Sequence, residues 1–453
     1  MLPRGVAAGH PATVAAGIEV LEEGGTAADA AVAACLASCV AETVMTGLLG
    51  GGHALHWDGR EALCLDCFVD VPSGEGAAPI ELRVPFGEEL VHYAVGPGTC
   101  GVPGLTAGLA TLHARFGRLP WARLVEPALL LARSGVPMPP AHAACLAMLA
   151  PVFTMRPDGE RIYAPGGRPL ETGETLAQPG LAAALELLAE EGADTFYRGS
   201  VAHALLAFEG VAVTRADLER YQARWNEPVE AAYAGRRFVT RDGLTGVPET
   251  LGRLPRLAGL GERERVHTLL AAFEGPVRAG HTTNIVTADA EGRACVLTTS
   301  LGLGTGDFLP GLDLHLNSML GEADLVLEPL RLGERMQSMM APSLALGPDG
   351  PELAIGAAGG TRLRTALVGV AAGVLDEGLD PADAVLRPRF HRAGAVVNAE
   401  PGVDEAALAD LESAGAAVRR WPARHHYFGG VSLIARTGAA GDPRRSGHAA
   451  TLP

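Results

Sequence analysis

The sequence predicts an α/β (α+β) protein in which β-sheets are stacked between layers of helices. Three observations point to this fold class. Segments with helical and strand periodicity follow one another in blocks, 48% of the 453 residues are hydrophobic, and no repeat of fixed period is present. This length and composition allow one large α/β body or two or three lobes with a sizeable core.

The first elements are predicted from apolar spacing and from the residues that end each segment. The stretch 11–25 is amphipathic and finishes at a glycine pair, as helices often do. The stretch 26–44 is almost entirely small and apolar, which predicts a fully buried helix with Thr26 or Asp29 near its N-terminus. Residues 47–71 follow as two strands around the turn Asp58-Gly59.

The middle of the chain is predicted to be mainly helical. Helices are expected over 104–150, over 178–208 and after Thr214, which forms a capping pattern with Asp217. Two further segments differ from these, namely a hairpin over 229–241 and a turn-rich, exposed connection over 242–281 that includes one helix near 265–275.

From residue 282 onward the periodicity indicates strands first and helices later. A last strand is expected near the C-terminus. The predicted strands are 282–289, 293–300, 342–348, 352–357 and 429–437, and the predicted helices are 361–376 and a short one within 381–390.

The charge distribution excludes several classes of protein. The net charge is −16, and no cluster of basic residues is present to bind nucleic acid. All 36 residues counted as Lys+Arg are arginine, so no lysine is available for a Schiff base, a catalytic amine or a P-loop.

The seven cysteines indicate reduced thiols in the cytoplasm, because their number is odd and their surroundings are apolar. Cys64 and Cys67 form a C-x-x-C, but no second pair of metal ligands accompanies it, and the stretch alternates like a strand. No secretory signal and no span of ~18 uncharged apolar residues is found, so the expected location is the cytoplasm and no membrane partner is expected.

Two threonines, Thr282 and Thr283, stand at the start of a predicted hairpin in mid-chain. Threonine is common in strands, so the pair fits strand propensity alone. The alternative is chemical: cleavage of the bond before Thr282 would place a new α-amino group, with a pKa near ~8, beside the threonine hydroxyl, where it can act as a base.

Acyl transfer also requires backbone N–H groups that stabilise an oxyanion. Gly359 and Gly360 lie between a predicted strand and a predicted helix, where unhindered amides stand near the positive end of the helix. A tight strand-to-helix turn is the alternative interpretation of this pair. The absence of lysine and of a G-x-G-x-x-G pattern disfavours a nucleotide site.

Several segments in the same order resemble the γ-glutamyltranspeptidase family of N-terminal-nucleophile hydrolases. The most specific are "HTTNIVTADAEGRACVLTTS" and "IGAAGGTRLRTAL". The resemblance extends over nearly the whole chain and includes 24–37, 47–59, 101–135, 192–205, 213–240, 281–300, 355–367 and 441–450.

The resemblance implies a four-layer αββα sandwich and a self-cleaving enzyme. It matches Thr282 with the nucleophile and places cleavage at the bond His281–Thr282, giving a large subunit 1–281 and a small subunit 282–453 that stay associated. Ser300 matches a second hydroxyl near the nucleophile's amine, Gly359 and Gly360 match the oxyanion glycines, and the hydroxyl of Thr283 is expected to orient the nucleophile. No metal or organic cofactor is expected, and a homodimer is possible.

The residues that bind glutamate in the family are replaced here. Phe68 or Val69 stands in place of the arginine that binds the substrate carboxylate, and Gly302 stands in place of an asparagine. Ser318 and Gly321 occupy the expected Gln and Asp positions, and Ser338 is retained while its partner serine is Met339. Each lost charge-assisted contact is worth roughly 1.5–3 kcal/mol, so glutamate selectivity is expected to be lost.

Three interpretations remain open. The first is a hydrolase with a more apolar pocket around Phe68 and Met339, where His53, His315 and Arg335 are possible polar contacts. Such an enzyme would cleave an amide or a carbon–carbon bond, as cytoplasmic relatives in antibiotic and alkylproline biosynthesis are thought to do. The second is a γ-glutamyl enzyme that binds glutamate through Arg335 or Arg278. The third is a non-catalytic binding homologue.

Overall fold

The computed structural model describes residues 1–86, 89–274, 282–322, 325 and 329–453. The helices are α1 Pro11–Glu22, α2 Ala27–Ala41, α3 Leu105–Phe116, α4 Trp121–Ser134, α5 Pro140–Phe153, α6 Pro157–Tyr163, α7 Pro179–Glu191, α8 Ser200–Leu206, α9 Arg215–Arg220, α10 Val247–Arg253, α11 Glu262–Ala272, α12 Leu363–Leu375, α13 Pro381–Leu386 and α14 Glu405–Ser413. The strands are β1 Gly5–Ala8, β2 Gly51–Trp57, β3 Ala62–Cys67, β4 Ile80–Phe86, β5 Glu89–Val95, β6 Val136–Pro137, β7 Thr175–Leu176, β8 Arg224–Asn226, β9 Val229–Tyr233, β10 Arg236–Thr240, β11 Thr283–Ala288, β12 Ala294–Ser300, β13 Phe308–Leu309, β14 Leu314–His315, β15 Ser343–Gly347, β16 Gly350–Ala358, β17 Phe390–Ala393, β18 Val396–Ala399, β19 Ala417–Arg420, β20 Gly430–Ala435, β21 Gly438–Gly441 and β22 His448–Thr451.

Two large sheets lie face to face, and helices cover their outer faces. The first sheet has the strand order β22-β1-β11-β12-β2-β3-β8 and packs on α1 and α2. The second has the order β21-β20-β16-β15-β10-β9 and packs on α10, α12 and α13. The apolar layer between the sheets includes Leu55, Val239, Val286, Leu344 and Ile434. These four layers are the predicted αββα arrangement.

Helix α2 is buried along its whole length because its side chains are small and apolar. A reciprocal cap begins the helix: the N–H of Asp29 donates to Thr26 Oγ1 at 3.0 Å, and the N–H of Thr26 donates to Asp29 Oδ2 at 2.9 Å. The structure therefore confirms the buried helix and both capping residues. The helix ends at Glu42, which brings a carboxyl group to the end of the first sheet.

The first two strands after residue 282, β11 and β12, lie inside the first sheet rather than at its edge. Strand β11 pairs with β1 on one side and with β12 on the other, and β12 then pairs with β2. The predicted subunits 1–281 and 282–453 thus both contribute strands to one sheet, in which β1 of the large subunit lies between β22 and β11 of the small subunit. Separation would expose unpaired strand edges and core side chains, which opposes dissociation after cleavage.

Two expectations from the sequence are corrected. The stretch 242–274 is not an exposed connection, because α10 and α11 place Val247, Leu251 and Leu269 in the core beside the second sheet. Helix α11 is the helix expected near 265–275, whereas frequent Gly and Pro concealed α10. The strand near 429–437 is present as β20, but it is not the last strand, since the small-residue strands β21 and β22 follow it.

Candidate active site

Thr282 lies immediately before strand β11 and is only 2% exposed. In the ladder between β11 and β12, Thr283 pairs with Thr299. Continuing this antiparallel register by one residue places Thr282 beside Ser300, with both side chains on the same face of the sheet. The Oγ of Ser300 accepts a hydrogen bond from the N–H of Gly302 at 3.0 Å. His281, on the other side of the predicted cleavage bond, lies outside the described residues.

The hydroxyl of Thr283 donates to Oε2 of Glu42. Thr13 Oγ1 donates to Oε1 of the same carboxyl group at 2.6 Å. Glu42 is 1% exposed, and burial raises its pKa to about 7 in spite of these two hydrogen bonds. Since the proton of Thr283 is used in this bond, the hydroxyl does not donate to Thr282 and could act on the nucleophile only as an acceptor.

A small cavity of about 20 Å³ adjoins Thr282. This space holds roughly one water molecule. The described residues that line it are Gly9, Glu42, Met45, His142, Thr282, Thr283, Asn284, Ala358, Gly430, Val431, Ser432, Asp442, Arg445 and Gly447. Burial lowers the pKa of His142 to about 3, so its imidazole is neutral at physiological pH.

Gly359 and Gly360 follow Ala358, which ends β16 and lines the cavity. Their φ values of +134° and +59° are unfavourable for residues with a side chain. A Cβ on Gly359 would also lie 2.6 Å from Cα of Gly429. The pair follows the cavity-lining Ala358 directly, at the start of the turn that leads into α12, although neither glycine lines the cavity itself. Unhindered backbone next to the cavity is compatible with an oxyanion site.

Phe68 and Met339 are buried in one apolar cluster. Phe68 is 0% exposed, and its ring stacks on His53 with 5.5 Å between centroids. The cluster also contains Met319 and Met336. The position where the resemblance expects an arginine is thus filled by an apolar side chain.

Two other replaced positions, Gly302 and Gly321, are close to neighbouring atoms that an added side chain would meet. A Cβ on Gly321 would lie 1.8 Å from the carbonyl oxygen of Ala94. A Cβ on Gly302 would lie 2.7 Å from Ser318 Oγ, which itself accepts the N–H of Leu303 at 3.1 Å. An aspartate at 321 would therefore require a different backbone, whereas an asparagine at 302 would require the Ser318 hydroxyl to move.

Ser338 uses its hydroxyl within its own loop. Its Oγ accepts the N–H of Met340 at 3.2 Å, and its carbonyl oxygen accepts from Arg241 at 2.7 Å. Ser318 and Ser338 therefore both stabilise backbone, and neither hydroxyl lines the cavity beside Thr282.

Arg335 has its donors occupied within the protein. It donates to the carbonyl oxygen of Phe68, to Tyr221 and, at 2.7 Å, to the carbonyl oxygen of Gln222. It is also 3.0 Å from Asp70. In this conformation Arg335 is not available to bind a substrate carboxylate. Arg278 lies outside the described residues.

The two histidines considered as polar contacts are both buried. His315 lies against Phe308 and Phe153, its Nε2 accepts the N–H of Gly306 at 2.9 Å, and burial lowers its pKa to about 3. Among the described residues, neither ring nitrogen of His53 has a hydrogen-bond partner, although its Nδ1 lies 3.5 Å from Oδ1 of Asp66.

Sequence reasoning missed Glu42, His142 and Arg445, which line the cavity with Thr282. One signal was available for Glu42, since it is the single carboxylate at the end of an otherwise apolar buried helix. His142 and Arg445 are far from Thr282 in sequence and meet it only through the tertiary fold.

The cysteines do not form a metal site or a disulfide in the part of the chain that the structure describes. All seven are buried free thiols. Burial raises the pKa of both Cys64 and Cys67 to about 12, which keeps them protonated. No cluster of three His, Cys, Asp or Glu side chains suited to a metal ion occurs among the described residues. Within those same ranges, no helix combines the length and apolarity that crossing a bilayer requires.

Comparison with known proteins identifies relatives over almost the whole chain. The family described as Gamma-glutamyltranspeptidase matches residues 13–274 and 262–452. The acylase ACY 1 proenzyme of Pseudomonas sp. (strain SE83) is 28% identical, covering 95% of this chain and 89% of the relative. The glutathione hydrolase proenzyme of Bacillus subtilis (strain 168) is 26% identical, covering 90% of this chain and 84% of the relative.

A solved structure has the same fold. The crystal structure of cephalosporin acylase from Bacillus halodurans matches with a TM-score of 0.84 at 24% identity, covering 100% of this chain and 96% of that chain. The predicted fold class is thereby confirmed.

Proposed function

Because the chain belongs to the gamma-glutamyltranspeptidase family, we propose that it is a self-cleaving amide hydrolase with Thr282 as its nucleophile. One observation carries the proposal: Thr282 lines a cavity at the start of β11, and the strand register places Ser300 beside it. The end of β16 lines the same cavity, and the Gly359-Gly360 turn follows β16 directly in the chain. Family membership makes the protein an enzyme of the hydrolase or acyltransferase kind.

Self-cleavage would be an N-to-O acyl shift. The Oγ of Thr282 attacks the carbonyl carbon of residue 281, an ester forms, and the amide bond to the Thr282 nitrogen breaks as that nitrogen takes a proton. Water then hydrolyses the ester, which leaves a carboxyl group at residue 281 and a free α-amino group on Thr282.

Turnover would use the same atoms. The α-amino group takes the hydroxyl proton as Oγ attacks the substrate carbonyl, and the N–H groups of Gly359 and Gly360 stabilise the oxyanion. The leaving amine departs with the proton, and water hydrolyses the acyl-threonine ester. Ser300 would help to hold the α-amino group.

The proposed acyl group is not γ-glutamyl. Phe68 is packed against His53, and the carbonyl oxygen of Ala94 leaves no space at Gly321 for the acidic side chain that the resemblance expects. The relative from Pseudomonas is named an acylase. This name supports the proposal that an enzyme of this fold can cleave acyl groups other than γ-glutamyl. Thr282 attacking an activated ketone would cleave a carbon–carbon bond with the same machinery, and a role in antibiotic biosynthesis belongs to this proposal.

We also propose that the enzyme works in the cytoplasm, where seven buried free thiols remain reduced. Fractionation of the native host, with the protein detected alongside cytosolic and exported markers, tests this location; recovery with the exported markers would contradict it.

Substrate preference tests the proposal about the acyl group. Wild type should hydrolyse at least one simple N-acyl 4-nitroanilide from a series of acyl lengths faster than L-γ-glutamyl-4-nitroanilide. Thr282→Ala should be inactive on all of them, and Thr282→Ser should keep part of the activity. A clear preference for the γ-glutamyl anilide would favour the conventional enzyme, and failure of wild type to be acylated by any ester or anilide would favour a binding homologue.

A further inference from the structure

Arg445 is a buried arginine whose hydrogen-bonding capacity is largely unused. It is 6% exposed, and its Nε has no hydrogen-bond partner among the described residues. The one side-chain acceptor recorded for it is Sδ of Met45, at 3.4 Å from Nη1, and thioether sulfur is a weak acceptor. No carboxylate among the described residues forms an ion pair with it.

The neighbouring arginines are fully engaged. Arg444 donates to both oxygens of Glu400 and to the carbonyl oxygens of Val385 and Arg387. Asp442 forms ion pairs with both Arg389, at 2.5 Å, and Arg444, at 3.3 Å. A buried guanidinium is normally paired, because losing its hydration without a partner is costly. Arg445 is thus the exception within this cluster.

The guanidinium of Arg445 adjoins the proposed reaction centre. Its side-chain carbons cover Gly430, where an added Cβ would meet them at 2.8–3.0 Å. Its Nη2 lies 3.5 Å from the position a Cβ on Gly359 would take. Arg445 also lines the cavity that contains Thr282. The unused donors therefore stand next to both the nucleophile and the glycine turn.

The electrostatic surroundings favour an anion at this place. Burial lowers the pKa of Arg445 and repulsion by Arg362 lowers it further, while Asp442 acts in the opposite direction. The adjacent turn leads into the N-terminus of α12, whose peptide dipoles add positive potential. Of the carboxylates in the cavity, Asp442 is already paired and Glu42 is held by two threonines.

We propose that Arg445 binds a carboxylate group of the substrate. This inference rests on the proposed function and specifies its substrate class: an acyl compound with a carboxylate a few bonds from the scissile carbonyl. The planar fork of a single arginine fits a carboxylate through two parallel N–H···O bonds. This subsite is separate from the positions where the resemblance expects glutamate-binding residues, since Phe68, Gly302, Ser318, Ser338 and Met339 do not line the cavity.

The carboxylate can belong to the acyl group or to the leaving group, and two pairs of esters distinguish these sources. Mono-4-nitrophenyl glutarate and 4-nitrophenyl pentanoate differ by a carboxylate on the acyl group. 4-Acetoxybenzoate and its methyl ester differ by a carboxylate on the leaving group. In each case Thr282 Oγ forms the new ester bond, the phenolate leaves, and the hydroxyl proton passes to the α-amino group.

The measurement is kcat/KM for all four esters with wild type and Arg445→Met. In one of the two pairs, the variant should lose about 10- to 100-fold on the anionic ester while the neutral ester changes little, as expected for a lost charge-assisted contact. Arg445→Lys should lose less, and Arg236→Met, which removes a remote, half-buried arginine paired with Glu352, should leave the ratio within each pair unchanged.

Two outcomes distinguish failure of the carboxylate subsite from failure of the proposed function. If Arg445→Met changes the anionic and neutral esters of both pairs equally, or changes none of them, the carboxylate subsite is overturned and the nucleophile assignment stands. If Thr282→Ala turns over the esters as fast as wild type, the proposed function fails as well. Should Arg445→Met not fold, competitive inhibition of wild type by glutarate and not by glutaramide supports the subsite, and equal inhibition by both contradicts it.

Discussion

The hydroxyl of Thr283 donates a hydrogen bond to the buried carboxyl group of Glu42, which connects the residue after the proposed nucleophile to the end of helix α2. Thr13 of α1 donates to the other oxygen of that carboxyl group. Two helices of the outer layer are thus joined through one carboxyl group to strand β11, which begins one residue after the proposed nucleophile. No cation pairs with Glu42 in the described parts of the chain.

Glu42 should make stability depend on pH in the uncleaved protein. Burial raises its pKa from 4.5 to about 7. The folded state therefore holds more protons than the unfolded state between these values, and stability falls as pH rises through this range, by about 3 kcal/mol in total. In a Thr282→Ala background, urea unfolding at pH 4.5, 6 and 7.5 should show this fall, and Glu42→Gln should reduce it. An unchanged pH dependence in Glu42→Gln would show that other groups cause it.

The two adjacent arginines should respond in opposite ways to the same substitution. Arg444→Met leaves Glu400 buried without its cation and should cost about 3–5 kcal/mol. Arg445→Met removes a buried cation that lacks an anionic partner, so stability should stay the same or increase. Denaturant unfolding of the two variants measures the difference. A large loss in Arg445→Met would mean that the arginine has a structural partner.

Gly359→Ala should damage the site, whereas Gly369→Ala should be tolerated. The first substitution places a Cβ 2.6 Å from Gly429 at φ +134°, and displacement of the oxyanion amides should lower kcat by about 10²-fold or more. The second adds a Cβ in α12 with nothing within 4 Å and should stabilise the helix by up to about 1 kcal/mol. Similar activity in both variants would remove Gly359 from the oxyanion site.

Restoring the missing arginine should not restore a γ-glutamyl enzyme. Phe68→Arg introduces a charge into an apolar cluster, and the carbonyl oxygen of Ala94 still blocks an acidic partner at Gly321. The expected result is a loss of about 3–5 kcal/mol in stability and no gain on L-γ-glutamyl-4-nitroanilide. Phe68→Leu serves as the apolar control. A gain of γ-glutamyl activity in Phe68→Arg would show that the remaining pocket is intact.

Most of the central fold could be predicted from the sequence because local patterns agree with it. Small apolar residues predict the buried helix α2, and Thr26 with Asp29 predicts its start. Alternation predicts the hairpin of β11 and β12. Strands β1 and β22 were missed because short runs of Gly and Ala carry no period-2 contrast, and their pairing is determined by contacts distant in sequence.

The site was predictable only in part. The resemblance supplied Thr282, Ser300 and the glycine pair, and the fold brings these residues to one end of the sheets. The roles of Glu42 and Arg445 depend on the burial of their side chains and on the lack of an oppositely charged partner among the described residues. Neither property can be predicted from a sequence pattern. The closed space at Gly321 likewise depends on a carbonyl oxygen from β5.

The mass of the purified protein and the N-terminal sequences of its chains test the central claim most directly. The account predicts two polypeptides in wild type, of which the second begins at Thr282, and one unbroken polypeptide in Thr282→Ala. Full catalytic turnover by an unbroken wild-type chain, or a second chain that begins at another residue, would contradict it.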